Sequence, residues 1–251
     1  MIRLHAFACG WLGSDLHLFL TGASGPIRVP VPAYLIDHPR GRVLFDSGLH
    51  VDARVDPQGR LGFLAKLFQV EFAGGEAVGE RLTALGIDPA SVTHLVTSHL
   101  HFDHVGGIAQ IPNARLVVQR PEWEAGRTPE LMQKNGYDPR DYDLGHDLVL
   151  ADGEVDLFGD GRVVCVPTYG HTPGHQSLRV RLEGGEIVLT ADACYFRRTL
   201  EEMNLPPIVH DAAQMTESLR RLAALQAAGA RLFFGHDPEL WATLPQPAVF
   251  A

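Results

Sequence analysis

Short apolar runs rich in β-branched residues alternate along this chain with turns that contain glycine or proline. The segment 34–48, "YLIDHPRGRVLFDSG", predicts a hairpin of two strands joined at Pro-Arg-Gly. The segment 177–192, "SLRVRLEGGEIVLTAD", predicts a second hairpin that turns at Gly184-Gly185. Further strands are predicted for "SVTHLVTSH" (91–99), "ARLVVQ" (114–119) and "GRVVCVPT" (161–168). Much of the chain is therefore expected to form sheets.

Two segments have helical spacing. "GEAVGERLTALGI" (75–87) is expected to end at Gly86, and "DAAQMTESLRRLAALQAAGA" (211–230) is expected to form the longest helix. Strands and helices are interleaved, and many neighbouring strands are joined by hairpins. This pattern predicts mixed sheets with helices outside, a layered α/β architecture. The sheet-forming part occurs twice, before and after about residue 150.

Composition and charge narrow the class of protein. A chain of 251 residues can bury a sizeable core, and we predict a single domain over residues 1–251. A net charge of −9 without a lysine or arginine run makes nucleic acid an improbable partner. No apolar run approaches the roughly 20 residues that span a bilayer, and the N-terminus lacks the basic region of a signal peptide. The three cysteines lack CxxC spacing, which predicts reduced thiols in a cytoplasmic protein.

Residues 59–75, "GRLGFLAKLFQVEFAGG", form an unusually apolar segment between glycines. One interpretation is a short amphipathic helix packed on the core. A second is a flexible lid beside the functional site, able to hold a fatty chain. The same segment could instead be a contact in a homodimer, since exposed apolar helices often are.

The stretch 98–107, "SHLHFDHVGG", begins where an apolar strand stops and holds the densest group of metal-binding side chains. His99 and His101 are two residues apart, so an extended backbone places them on one side. Asp103 and His104 follow a turn and can face the same space from another direction. Such a donor set after a buried strand predicts a metal site.

Further donors are expected from elsewhere, because one tetrahedral ion cannot comfortably take all four side chains of this stretch. Three candidates stand where a strand gives way to a loop: His171 in "GHTPGHQS", Asp192 at the end of "EIVLTAD", and His236 in "RLFFGHD". Together with the first stretch they make seven donors.

Seven donors divide naturally over two divalent cations. In this hypothesis His99, His101 and His171 hold the first, Asp103, His104 and His236 hold the second, and Asp192 bridges them with its two oxygens. Nitrogen and oxygen donors without thiolate suit Zn²⁺, and also Mn²⁺, Fe²⁺ or Co²⁺.

The order of these motifs, with an early "LFDSG" (44–48), resembles the metallo-β-lactamase superfamily. The motifs extend from about residue 30 to residue 237. The resemblance implies an αββα sandwich of two mixed β-sheets with outer helices and a binuclear site at one edge of the sheets. It also implies that Asp46 supports the loop that carries the donors. His175 is expected to be structural.

Finer detail is similar to the N-acyl homoserine lactonases, the quorum-quenching branch of the superfamily. The β-lactamase branch usually has a cysteine where this chain has Asp192, and Cys194 is out of register with that position. "TADACYF" places Tyr195 three residues after Asp192, where the lactonases have a tyrosine that contacts the substrate carbonyl. Phe102 also matches that branch, and the apolar segment before the cluster suits a pocket for an acyl tail.

The resemblance implies a hydrolase that opens the lactone ring of N-acyl homoserine lactones. Two cations lower the pKa of a shared water, and the resulting hydroxide attacks the lactone carbonyl. Tyr195 stabilises the developing oxyanion, and Asp103 is the candidate that carries a proton to the departing ring oxygen.

Three alternatives stay open at this point. The same fold could serve a glyoxalase II-like thioesterase or a phosphoesterase, although no basic cluster suggests a binding site for a glutathione conjugate. A mononuclear iron oxygenase of the persulfide dioxygenase kind would need only His99, His171 and Asp192. A metal-binding protein without catalysis would leave Tyr195 without a role.

Overall fold

The computed structural model describes residues 2–251 of the chain. Within these residues the strands are β1 (Arg3–Asp15), β2 (Pro26–His38), β3 (Gly41–Phe45), β4 (Gln69–Glu71), β5 (Val92–Val96), β6 (Arg115–Gln119), β7 (Leu148–Ala151), β8 (Val155–Asp156), β9 (Val163–Pro167), β10 (Gln176–Leu182), β11 (Gly185–Ala191), β12 (Arg231–Phe234) and β13 (Ala248–Phe250). The helices are α1 (Pro57–Leu61), α2 (Val78–Ala84), α3 (Phe102–Val105), α4 (Arg120–Ala125), α5 (Pro129–Asn135), α6 (Pro139–Tyr142), α7 (Arg197–Glu202), α8 (Ala212–Ala227) and α9 (Pro238–Ala242). Short 3₁₀ helices cover Leu16–Leu18, Val51–Arg54, Gly62–Lys66, Pro89–Ser91 and Ile108–Gln110. Every strand and helix predicted above is present, with bounds shifted by a few residues.

The strands form two mixed sheets. The first has the order β13-β1-β2-β3-β5-β6-β7, with β4 paired to β1. In it β1, β2 and β3 are antiparallel neighbours, whereas β3, β5, β6 and β7 run parallel. The second has the order β12-β11-β10-β9-β8 and is antiparallel except for the β11–β12 pair. The chain changes sheet near residue 150, as the sequence predicts, but β13 returns to the first sheet.

Three buried clusters define the layers. The cluster between the two sheets includes Leu4, Tyr34, Phe45, Leu178 and Phe233. The cluster between the first sheet and its helices includes Phe7, Leu35, Leu44, Val78 and Leu82. The cluster between the second sheet and α8 includes Val188, Leu219, Leu222, Leu232 and Phe234. Alternate residues of one strand fall in different clusters because successive side chains point to opposite faces of a sheet. The helix–sheet–sheet–helix order confirms the predicted αββα sandwich.

The hydrophobic pattern does not indicate β1, although it is 13 residues long. Its side chains are buried on both faces, with Ala6 between the sheets and Phe7 under the helices. A strand buried on both faces lacks the apolar–polar alternation that identifies a half-exposed strand. His5 is also buried in the strand.

Segment 59–75 does not form one amphipathic helix. Helix α1 ends at Gly62, whose φ of +56° lies in the left-handed region that favours glycine. A 3₁₀ helix and β4 follow, and β4 pairs with β1. Phe68 and Phe72 pack in a buried cluster with Tyr195, whereas Phe63 is 68% exposed. The segment is therefore a short wall beside the predicted site.

The loops that follow β3, β5, β9, β11 and β12 carry the residues predicted from the sequence. In mixed α/β sheets, ligands bind outside the carboxyl ends of the parallel strands. Among residues 2–251, none of the helices combines the length and the apolar character needed to span a bilayer.

Candidate metal centre

Three imidazoles and one oxygen of Asp192 form a first donor group. His101 Nδ1 lies 2.8 Å from His99 Nε2 and 3.1 Å from His171 Nε2. Asp192 Oδ2 lies 3.6 Å from His99 Nε2 and 3.3 Å from His171 Nε2. One donor atom from each of the four side chains lies within 4.8 Å of the others.

The second oxygen of Asp192 faces a second donor group. Asp192 Oδ1 lies 3.2 Å from His104 Nε2 and 3.1 Å from His236 Nε2. Asp103 Oδ2 lies 3.6 Å from each of the same two nitrogens. The fold thus brings together all seven side chains that the sequence predicts as donors, in two groups with Asp192 between them. This arrangement does not match the mononuclear iron site considered above, which would need only His99, His171 and Asp192.

The loop after β5 carries four of the donors because it turns at once into α3. His101 precedes the first turn of α3, and Asp103 and His104 lie within it. The chain bends closely at Gly106-Gly107 after α3. A Cβ atom on Gly106 would lie 2.2 Å from the backbone nitrogen of His50, so the close approach of the two loops requires glycine.

Asp46 holds this loop from the end of β3. Its Oδ1 accepts a hydrogen bond of 2.7 Å from the backbone N–H of Ser98, and its Oδ2 accepts one of 2.9 Å from the hydroxyl of Ser98. His104 Nδ1 lies 2.9 Å from Asp46 Oδ2. Donation from Nδ1–H to this carboxylate leaves His104 Nε2 free to face Asp192.

His171 is held through its backbone, and His236 is held through its imidazole ring. The backbone N–H of His210 donates to the carbonyl of His171 over 3.0 Å, just before α8 begins. Gly170 has a φ of +122°, and a Cβ atom there would lie 2.1 Å from the backbone nitrogen of Met215 in α8. His236 Nδ1 lies 2.7 Å from the carbonyl oxygen of Pro30, so the Nδ1–H is used and Nε2 faces Asp192.

His175 lies behind the donors. Its Nδ1 is 2.9 Å from the hydroxyl of Thr168, and its Nε2 accepts a hydrogen bond of 3.1 Å from the backbone N–H of Asp192. It therefore supports the backbone that carries Asp192. Cys194 is also buried, and its thiol donates to the carbonyl of Phe196, outside the two donor groups.

The pKa values of the histidines differ between the two donor groups. Burial holds the pKa of His99 and His171 well below the usual histidine value, so both imidazoles are neutral. Burial acts on His104 in the same direction, but the carboxylates of Asp192 and Asp103 outweigh it and hold its pKa well above that value. The pKa of Asp192 lies well below its usual range, because His104 and His236 outweigh the effect of burial. Asp192 is thus an ionised carboxylate in a buried site.

These residues fit divalent cations. His104 Nε2 and Asp192 Oδ1 are buried and form no hydrogen bond of good geometry with any described residue. Buried polar atoms without partners are rare unless they bind an ion or water. In a tetrahedral zinc site with bonds of about 2.0–2.1 Å, neighbouring donor atoms lie roughly 3.3 Å apart. The distances of 2.8–3.6 Å given above bracket this value.

A cavity of about 190 Å³ opens above the donors. Its floor is polar and includes donors from both groups, and Tyr195 lies beside them. The ring centroid of Tyr195 is 5.5 Å from that of His236 and 5.8 Å from that of His171. The cavity wall is apolar and consists of Leu12, Leu18, Phe19, Leu64, Leu67, Phe68, Phe102 and Ile208.

The sequence matches the family model of the metallo-beta-lactamase superfamily over residues 26–236. The chain belongs to the metallo-β-lactamase superfamily. Among curated relatives, the N-acyl homoserine lactonase AttM of Azorhizobium caulinodans is 36% identical over 249 residues, which cover 96% of this chain and 95% of the relative.

Solved structures of this superfamily agree with the fold. One is an N-acyl homoserine lactone hydrolase with the product N-hexanoyl-L-homoserine at its catalytic metal centre. It has a TM-score of 0.86 and 26% identity, with 97% of this chain and 96% of that chain covered. The other is a variant of AiiA from B. thuringiensis with N-decanoyl-L-homoserine at its active site. It has the same TM-score of 0.86 and 26% identity, with 97% and 96% coverage.

In this superfamily member, Glu122 connects the two loops that carry the histidines of the first donor group. Its Oε1 accepts hydrogen bonds from the backbone N–H of Leu100 at 3.0 Å and from the hydroxyl of Tyr137 at 2.6 Å. Its Oε2 accepts a 2.8 Å bond from the backbone N–H of Gly174. The ring of Tyr137 is in turn 5.5 Å from that of His101. The sequence does not reveal this role. Glu122 lies in the short stretch "RPEWEA", whose charged residues are typical of a surface helix.

We expect Glu122→Gln to weaken metal binding by about 10- to 100-fold, because supports of donor loops tune metal affinity by this amount. An amide NH₂ would replace one of the two acceptors and face an N–H or O–H donor. Competition with a chromogenic chelator measures the affinity. Glu124→Gln is the matched control, since Glu124 is exposed on the same helix. Equal metal affinity in wild type and Glu122→Gln would show that Glu122 does not position the donors.

Proposed function

We propose that this protein hydrolyses the lactone ring of N-acyl homoserine lactones. The observation that carries the proposal is the two-part cavity, with clustered imidazoles and carboxylates on its floor and an apolar wall above them. A polar lactone head suits the floor and an acyl chain suits the wall. The similarity to named lactonases over nearly the whole chain supports the same substrate class.

We propose two Zn²⁺ ions as cofactors, held by the two donor groups with Asp192 between them. Five imidazoles that face oxygen donors without a thiolate suit zinc, and also manganese, iron or cobalt. Bound cations of this kind lower the pKa of water, so that hydroxide is available near neutral pH, and they polarise a carbonyl.

The chain's own residues would then complete the reaction. Hydroxide adds to the lactone carbonyl carbon, the ring C–O bond breaks, and the ring oxygen takes a proton to give an N-acyl homoserine. Burial and the charges of Asp192 and Asp103 hold the pKa of Tyr195 well above its usual value, so its hydroxyl keeps a proton to donate to the developing oxyanion. Asp103 lines the same cavity and can carry the proton to the departing oxygen.

Hydrolysis of acyl homoserine lactones with varied tails, followed in a pH-stat, tests this function directly. Each turnover releases one acid equivalent, because the product is a carboxylic acid. S-lactoylglutathione and an aryl phosphate test the thioesterase and phosphoesterase alternatives under the same conditions. Faster turnover of either compound than of every lactone would refute the proposal.

Replacing Tyr195 with Phe is expected to lower kcat on lactones by roughly 10²-fold, the usual effect of losing one oxyanion donor. Metal content should stay unchanged, since the phenol is not among the seven donors. Steady-state kinetics and elemental analysis measure the two quantities. Tyr169→Phe is the control, because its hydroxyl donates to Gln119 outside the cavity. An unchanged kcat in Tyr195→Phe would remove this residue from the mechanism.

We also propose a cytoplasmic location and a homodimer. The three cysteines are free and buried, which is usual for a protein kept under reducing conditions. Val55 and Phe63, at 86% and 68% exposure, are large apolar side chains near the cavity wall that a second copy could cover. Sedimentation analysis over a range of concentrations tests the dimer.

A further inference from the structure

A buried ion pair joins α1 to α6, two helices whose neighbouring residues line the cavity. Arg60 in α1 pairs with Asp141 in α6, 81 residues further along the chain. The two side chains are 8% and 5% exposed, and within residues 2–251 no other pairing of arginine or lysine with a carboxylate is buried to this degree on both sides. Asp138 Oδ2 lies 3.6 Å from Arg60 Nη1 and completes the contact.

Each partner stands next to residues of the cavity wall. After Arg60, the chain turns at Gly62 into the 3₁₀ helix that places Leu64, Leu67 and Phe68 in the wall. Before Asp141, Asn135 and Gly136 at the end of α5 lie on the same cavity. The ion pair therefore links two parts of the chain that both contribute residues to the cavity lining.

The α6 side of the contact is firmly held. Tyr142 follows Asp141, is 1% exposed, and donates its hydroxyl proton to the carbonyl of Gly126 over 2.7 Å. Its ring packs edge-on against Tyr137 at 6.5 Å between centroids. The packing of α6 therefore fixes the position of Asp141.

The α1 side has few other attachments. The hydroxyl of Ser14 donates to the carbonyl of Leu67 over 2.8 Å, and β4 pairs with β1 over three residues. The remaining ion pair of the segment, Glu71 with Arg28, is exposed, at 41% and 50% of the two side chains. Exposed pairs of this kind contribute little. The buried contact of Arg60 is therefore the main polar restraint on the first half of the wall segment.

We propose that the ion pair of Arg60 with Asp141 is a clasp that sets the acyl-chain specificity of the enzyme. This inference rests on the proposed lactonase function. With the clasp formed, residues 62–68 stay against the cavity and contact the distal carbons of a long acyl chain. With the clasp broken, the segment moves more freely and these contacts weaken. A short acyl chain does not reach them, and its hydrolysis is unaffected.

The test compares Asp141→Asn and Arg60→Gln with wild type, each fully loaded with zinc, on N-butanoyl and N-decanoyl homoserine lactone at pH 7.5. Burial raises the pKa of Asp141 to about 6, with Arg60 opposing, so the wild-type carboxylate is ionised at this pH. We expect KM for the decanoyl substrate to rise about tenfold in each variant, with kcat for the butanoyl substrate within twofold of wild type. The double variant should resemble the more affected single variant, because both act through one contact.

A second readout does not depend on catalysis. Lys66 is exposed in the wall segment, and tryptic cleavage after it reports local opening. Cleavage should be about fivefold faster in Asp141→Asn than in wild type. Glu71→Gln is the control, because it breaks the exposed ion pair of the same segment. It should match wild type in both the kinetic and the cleavage assay. An equal loss of kcat/KM on both substrates would overturn the clasp. An unchanged dependence of KM on chain length would also overturn it, whether or not cleavage is faster. A wild-type enzyme inactive on every lactone would instead refute the proposed function, and the cleavage rates alone would then show whether the contact restrains the segment.

Discussion

Removal of bound cations with a chelator is expected to lower lactone hydrolysis by at least about 10⁴-fold, because no protein nucleophile replaces the lost hydroxide. The cavity floor offers imidazoles and carboxylates, and within residues 2–251 each of the three cysteines is buried in the core. The unfolding temperature should also fall. A ligand present at a thousandfold excess over its Kd stabilises a fold by about 4 kcal/mol, and the chelated protein loses this contribution.

Lactone turnover is measured in a pH-stat, and the metal content of the same samples is measured by elemental analysis. Adding back Zn²⁺ should restore both activity and the unfolding temperature, and Mn²⁺ or Co²⁺ should restore part of the activity. Full activity at less than about one tenth of a metal ion per chain would contradict a metal-dependent mechanism.

Asp192→Asn is expected to lower kcat by about 10³-fold and to reduce metal content below two ions per chain. The two oxygens of Asp192 each lie 3.1–3.6 Å from two imidazoles, one oxygen in each donor group. An amide keeps the shape of the side chain but removes its charge and puts an NH₂ donor toward one of the groups. The group that faces the NH₂ then lacks one donor, and the other group faces a neutral amide oxygen in place of a carboxylate oxygen.

The control for this substitution is Asp237→Asn. Asp237 is buried to a similar extent, at 5% against 3% for Asp192, and lies next to His236. Its carboxylate caps α9 and accepts from the backbone N–H of Arg197, so it is not directed at the donors. This variant should keep both metal ions. If Asp192→Asn also kept two ions and wild-type turnover, Asp192 would not bridge the groups.

Local signals in the sequence account for most of the fold and for the donor set. The hairpin of β10 and β11 and the helix α8 follow from apolar spacing and from glycine at the turns, which are properties of neighbouring residues. The donors in 98–107 could be found because they are close together in the sequence, and His171, Asp192 and His236 because each follows an apolar strand. The resemblance to a known family then related these positions to one another.

Other parts depend on contacts that no local pattern records. The strand β1 is defined by its pairing with β2, β4 and β13, and burial on both faces removes the alternation that would mark it. The wall segment departs from a single helix at Gly62, and Arg60 near its start pairs with a carboxylate 81 residues away. Glu122 is an ordinary helix residue until Leu100 and Gly174 are brought to it.

The sequence by itself determined a layered α/β architecture and the seven candidate donors, because apolar periodicity, turn residues and strand-end histidines are properties of short stretches of chain. The αββα order of the layers came from the resemblance to a known family. Only the tertiary structure decided which side chains, such as Asp46, His175 and Glu122, hold the donors from behind. It also decided that Arg60 meets Asp141, 81 residues further along the chain. These features depend on distances between residues far apart in the chain, and packing of the whole core sets those distances.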